Sequence, residues 1–291
     1  MSDRLDAILD RAERLLERLE PLLPPAPVQT DWHAHAFRWR RSGKGGSLEA
    51  LAHPHRIRLS DLHGIDRQKE ALVRNTAQFT AALPANNALL WGARGTGKSS
   101  LIKGLLNRFA EQGLRLIEVE KHELIDLPEI VTHLRPRPER FIIFCDDLSF
   151  DANEPGYKAL KVVLDGSLSA PPENVLIYAS SNRRHLLPEY QEENREAQIV
   201  DGELHPGEAV EEKIALSDRF GLWLSFYPFS QEAYLEVVFH WLERLGAEAG
   251  QSEAIRQEAI RWALARGGRS GRAAWQFARD WVGRTGLTRR K

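Results

Sequence analysis

Three short groups of residues in this 291-residue chain combine side-chain types and spacing suited to chemistry. The first is Gly92-Ala93-Arg94-Gly95-Thr96-Gly97-Lys98-Ser99, preceded by the apolar run Ala88-Leu89-Leu90-Trp91. It follows the strand, Gly-x4-Gly-Lys-Ser, helix grammar of a phosphate-binding loop. Its glycines let the backbone curl until successive N–H groups face inward as an anion nest, and the helix starting near Lys98 aims its positive dipole end at the same point. Lys98 adds a cation for the β- and γ-phosphates, and Ser99 offers a hydroxyl to Mg²⁺. The chemistry implied is nucleoside triphosphate binding.

The second group is Phe141-Ile142-Ile143-Phe144-Cys145-Asp146-Asp147, an apolar run ending in two carboxylates about fifty residues beyond the loop. In a parallel α/β sheet the carboxyl ends of the strands lie beside the phosphate loop. Asp146 is then expected to hold Mg²⁺ through a water, and Asp147 to orient or deprotonate the attacking water. The third group, Val175-Leu176-Ile177-Tyr178-Ala179-Ser180-Ser181-Asn182, is again a buried-type strand with a polar tip, where Asn182 could donate to the γ-phosphate or hold that water. Two arginines follow, Arg219 in Ser217-Asp218-Arg219-Phe220-Gly221 and Arg272 in Gly268-Arg269-Ser270-Gly271-Arg272. A guanidinium supplied from outside the loop would stabilise the charge that spreads over the γ-phosphate during transfer.

The elements that must position these groups follow from the hydrophobic pattern. From Asp61 apolar strands alternate with helices, predicting strands over 87–91, 114–119, 141–145, 174–179 and 222–226 and helices over 66–82, 98–111 and 156–168. After Pro228 the pattern is purely helical. Tyr234, Val237, Val238, Trp241 and Leu245 share one stripe, and Ile255, Ala259, Trp262 and Leu264 form the next, as expected of a small lid.

Upstream, Leu5, Ile8, Leu9, Ala12, Leu15, Leu16 and Leu19 predict an amphipathic helix over 3–20, stopped by Pro21, Pro24, Pro25 and Pro27. That helix packs on its own chain or docks a partner. Residues 32–58 set Trp32, Phe37 and Trp39 among Arg38, Arg40, Arg41, Lys44, Arg56 and Arg58. Two readings stand: a nucleic-acid-binding segment that stacks bases and neutralises phosphates, or a strap whose aromatics pack on the core.

Composition bounds the class. Hydrophobic content is 42%, net charge is -1 and there is a single cysteine, Cys145. These features suit a soluble, cytoplasmic protein with no internal disulfide, no signal peptide and no membrane span. They also exclude a global excess of positive charge, so any nucleic-acid attraction must be local.

The order of phosphate loop, acid-tipped strand, Asn-tipped strand, pre-strand arginine and lid arginine resembles the AAA+ ATPase family over roughly residues 59–282. The resemblance implies an αβα sandwich around a parallel five-stranded sheet, with a C-terminal helical lid and an N-terminal helical extension. It divides the chain into 1–58, a nucleotide-binding domain over 59–227, and a lid over 228–291. By the same resemblance Leu62 and Ile65 line the adenine pocket. Gly92, Ala93, Arg94, Gly95, Thr96, Gly97, Lys98, Ser99 and Ser100 form the Walker A contacts, with ATP and Mg²⁺ as cofactors. Ser99 and Asp146 serve the metal, and Asp146 with Asp147 is the Walker B pair. Asn182 matches sensor 1, Arg272 matches sensor 2, and Arg219 matches the arginine finger given in trans within a homo-oligomer. Within AAA+ proteins, the stretches 145–150, 180–186 and 202–208 resemble a bacterial ATP-binding family of unknown function.

Two departures bear on function. The usual Walker B pair is Asp-Glu, and Asp147 is one methylene shorter, which predicts slow hydrolysis. The segment 189–212 is rich in Glu, with Glu189, Glu192, Glu193 and Glu196 at its start. It reads as a solvated loop, a site for a basic partner, or a flap over a subunit interface. The expected functions are an ATPase that remodels a protein or nucleic-acid client, or a slow ATP-gated switch that recruits a partner. A phosphotransferase is disfavoured by the Asn-tipped strand and the lid.

Overall fold

The computed structural model describes residue 11 and residues 30–42, 45–150, 154–166, 172–183, 186, 198–200, 203–205, 216–247 and 252–289. The amphipathic helix expected over 3–20 and its proline linker lie outside the described residues, as does most of 189–212.

In chain order the elements are β1 (Ala36–Ser42), β2 (Gly45–Ala50), α1 (Asp66–Thr80), β3 (Ala88–Gly92), α2 (Lys98–Phe109), β4 (Leu114–Glu118), α3 (Leu127–Leu134), β5 (Arg140–Cys145), α4 (Pro155–Asp165) and β6 (Val175–Ser181). They are followed by β7 (Gln198–Val200), β8 (Glu203–His205), β9 (Leu222–Phe226), α5 (Gln231–Arg244), α6 (Glu253–Ala265) and α7 (Gly271–Arg289). Among the described residues, β7 and β8 form a separate antiparallel pair, while the other strands form one sheet in the order β2-β1-β4-β5-β6-β3-β9.

The sheet therefore has seven strands rather than the five expected. The five expected strands run parallel and adjacent, β4 to β9. The extra two come from the basic, aromatic segment: β1 pairs in parallel with β4, and β2 folds back antiparallel on β1. The reason lies in alternation. Phe37, Trp39 and Leu48 are buried in one core layer, while Arg38, Arg40 and Arg41 meet acids. Arg38 Nη2 lies 2.7 Å from Glu118, Arg40 Nη1 3.2 Å from Glu120, and Arg41 Nη1 3.8 Å from Asp126. Trp39 Nε1 also donates to Asp126 Oδ2 at 3.1 Å. Charges matched in this way favour the strap over a phosphate-binding face.

Apolar side chains cover both faces of the sheet. Leu72, Leu101, Leu105, Ile142 and Phe144 belong to one cluster, which continues into Tyr234, Val238, Ala274 and Phe277 of the helical region. Phe141, Ile143, Ile177 and Leu160 belong to the other. Each fully buried Leu, Ile or Phe contributes about 1.5–3 kcal/mol, so this double-sided core is what holds the strand ends in register. Leu264, expected on the packed stripe of α6, is 74% exposed, whereas Ile255 and Ala259 pack inward as expected. No helix among the described residues is long and apolar enough to cross a membrane.

Candidate functional site

The loop between β3 and α2 is fixed from both sides. Gly92 takes a φ of +128°, and a Cβ there would lie 2.0 Å from the Phe226 carbonyl oxygen of β9, so only glycine fits. Ala93 N donates to that same oxygen at 2.9 Å. Gly97 caps α2 in the left-handed region, with Ile65 Cδ1 3.4 Å from where a Cβ would stand. Thr96 is buried and closes the loop by donating from Oγ1 to the Ala93 carbonyl at 2.8 Å.

A cleft of about 440 Å³ opens over this loop. Arg94, Gly95, Gly97, Lys98, Ser99, Ser100, Asp146, Asp147, Ser180, Asn182 and Arg272 line it. The structure thus brings together the loop, both acids, the asparagine and the lid arginine, each from a different element. Gly92, Ala93 and Thr96 build the loop beneath. Ile65 is buried against it and Leu62 is partly buried in the same core cluster. Arg219 is not in the cleft. Its Nε donates to Asp165 Oδ1 at the end of α4.

Lys98 folds back over its own loop. Its Nζ donates to the carbonyls of Gly92 and Ala93 at 2.8 Å each and to Asn182 Oδ1 at 3.1 Å. Burial holds the ammonium below the usual lysine value, with Asp147 and Asp146 opposing that shift. At the other end of the asparagine, Asn182 Nδ2 donates to Asp147 Oδ1. Asn182 therefore bridges the loop cation and the second acid.

Ser99 Oγ donates to Asp146 Oδ1 at 2.6 Å, which joins the start of α2 to the tip of β5. Asp147 follows at a φ of +50°, in the left-handed region that costs an L-residue about 1–2 kcal/mol and that Asp tolerates better than most. Strained backbone of this kind gathers at functional sites. Next to it Cys145 is buried, and burial pushes its thiol up to about 12, so it stays protonated and unsuited to act as a nucleophile.

The start of α7 forms one wall. Arg272 N donates to the Gly95 carbonyl at 3.2 Å, and a Cβ on Gly95 would stand 3.0 Å from Ser270 Oγ. Ser270 Oγ accepts from Ala273 N at 3.2 Å, capping α7 so that Arg272 sits in its first turn beside the loop.

These donors fit a nucleoside triphosphate with a hard divalent cation. The positive-φ glycines leave space where a Cβ would crowd a phosphate, Lys98 and Arg94 supply positive charge, and Ser99 with Asp146 offers the oxygen ligands that Mg²⁺ prefers. Ser180 is the lining residue that motif reading passed over. It stands two residues before Asn182 at the same strand tip, and what marks it is its contact with Asp146 and Asp147 at the end of the neighbouring strand.

Comparison with known proteins agrees with the fold. The Holliday junction branch migration motor RuvB of Thermotoga maritima aligns at a TM-score of 0.54 and 16% identity, over 78% of this chain and 66% of that one. The ORC1 protein of Aeropyrum pernix, solved in complex with DNA, aligns at 0.55 and 16% identity, over 79% of this chain and 62% of that one. The chain thus spans less than two thirds of either relative. No curated protein matches. Residues 32–285 match the family described as Protein of unknown function (DUF815). The chain belongs to that family, and its fold is the one it shares with the RuvB and ORC1 structures.

Proposed function

We propose that this protein binds ATP with Mg²⁺ in the cleft over the Gly92–Ser99 loop, hydrolyses it slowly, and uses the cycle in a homo-oligomer to act on a protein or nucleic-acid client. The observation that carries the reading is the convergence of Lys98, Ser99, Asp146, Asp147, Asn182 and Arg272 from separate elements on one cleft.

Each residue has a part. Backbone N–H groups of the loop and the Lys98 ammonium hold the β- and γ-phosphates, and Leu62 and Ile65 flank the base. Ser99 and Asp146 hold Mg²⁺, which when bound neutralises charge on the phosphate oxygens. Asp147 orients or deprotonates the attacking water. Asn182, once Lys98 turns to phosphate, is free to turn its amide to the γ-phosphate and release the Asp147 carboxylate. Arg272 reports the nucleotide to the lid, and Arg219 reaches the γ-phosphate of a neighbouring subunit.

A second reading, an ATP-gated switch that recruits a partner without motor action, is favoured by Asp147. Its short side chain is engaged by Asn182, and both features slow the step that needs it. Steady-state phosphate release, measured with and without single-stranded or duplex DNA, tests the proposal. Release stimulated several-fold by DNA supports a nucleic-acid motor, whereas slow release indifferent to DNA supports the switch. The relatives favour the first, one being a branch migration motor and the other solved with DNA. The ion-paired arginines of β1 argue against that strand as the DNA contact. Transfer of phosphate to a metabolite instead of water would overturn both readings.

A further inference from the structure

The turn at the end of β5 is braced by Ser180 of the neighbouring strand, through both its side chain and its backbone. Ser180 of β6 is 2% exposed. Its Oγ donates to Asp146 Oδ1 at 2.5 Å and accepts from Asp147 N at 3.0 Å. Its carbonyl accepts from Leu148 N at 2.6 Å. One residue therefore contacts three consecutive positions, including the left-handed Asp147.

The contacts around Asp146 are one-sided. Ser180 Oγ, Ser99 Oγ and Asp147 N all donate to Oδ1, at 2.5, 2.6 and 3.1 Å. Oδ2 carries no hydrogen bond among the described residues. A carboxylate anchored through one oxygen presents the other in a fixed direction, and outer partners of this kind commonly set metal affinity.

We infer that Ser180 is a positioning residue for the metal: it fixes Asp146 through Oδ1 beside Ser99 and leaves Oδ2 as the oxygen without a protein partner among the described residues, available to a cation or its water. The inference rests on the reading of the cleft as a Mg-ATP site. Ser180 lines the cleft, and its proposed part is to act through Asp146 rather than as a ligand of the metal. Its effect passes through Asp146 and, through the backbone of Asp147, sets where the second carboxylate begins.

The test is the ratio of ATP affinities with Mg²⁺ and with EDTA, measured by equilibrium binding of a fluorescent ATP analogue to the full chain. In Ser180→Ala the gain conferred by Mg²⁺ should fall about tenfold or more, with metal-free affinity unchanged. Ser180→Thr, which keeps the hydroxyl, should restore the gain. Asp146→Ala is the reference and should lose the gain altogether. If Asp146→Ala keeps it, the metal reading fails and the inference falls with it. If Asp146→Ala loses the gain and Ser180→Ala keeps it, the positioning role alone is overturned. Loss of metal-free binding in Ser180→Ala would show a merely structural role and overturn it as well.

Discussion

Lys98→Ala should remove ATP binding at concentrations that saturate the wild-type protein, with the folded domain intact. The lysine faces the β- and γ-phosphates in the proposed complex through charge-assisted hydrogen bonds worth about 1.5–3 kcal/mol each. Losing two such bonds weakens binding by about two to four powers of ten. The fold should tolerate the change because the ammonium is already disfavoured by burial, and its present partners are two loop carbonyls and one side chain. Calorimetric titration gives the affinity, and the melting temperature reports the fold. Wild-type affinity in the variant would remove the loop from the phosphate-binding role.

Arg219→Ala should leave the ATP affinity of the isolated subunit nearly unchanged and lower hydrolysis in the assembly by about a thousandfold or more, as expected for loss of an arginine finger. Arg219 lies just before β9 and contacts Asp165 at the end of α4, outside the cleft that holds Lys98 and Arg272. From there it does not line its own cleft, which is the placement the proposed role in trans requires. Mixing Arg219→Ala with Lys98→Ala sharpens the test, because a mixed interface can join an intact loop to an intact finger. Partial activity should return. If subunits exchange and the mixture stays inactive, or if Arg219→Ala is fully active as a monomer, the role in trans is wrong.

Much of the parallel core was legible because its signals are local. The expected strands 87–91 and 222–226 match Ala88–Gly92 and Leu222–Phe226, and the helix expected to start at Lys98 starts there, since Gly97 caps it in a conformation few other residues adopt. The strand tips carrying Asp146 and Asn182 were legible for the same reason, an apolar run ending abruptly in polar residues. The N-terminal pair of strands was not. Arg38-Trp39-Arg40 alternates as a strand does, but its basic charges suggest nucleic acid until Glu118, Glu120 and Asp126 are seen opposite them, and those acids lie about eighty residues away in sequence. Ser180 escaped for a related reason, because a serine in a strand gains meaning only from the strand beside it. The bridge from Lys98 through Asn182 to Asp147 likewise depends on three elements at once.

Phosphate release and nucleotide binding measured together on wild-type protein and Asp147→Asn test the central claim most directly. In the proposed site Mg²⁺ is held by Asp146 and Ser99 rather than by Asp147, so the variant should bind Mg-ATP as the wild type does. It should lose whatever release the wild type shows, by about a hundredfold or more, as expected when a general base is removed. Unchanged release in Asp147→Asn, or wild-type protein that fails to bind Mg-ATP at all, would contradict the account.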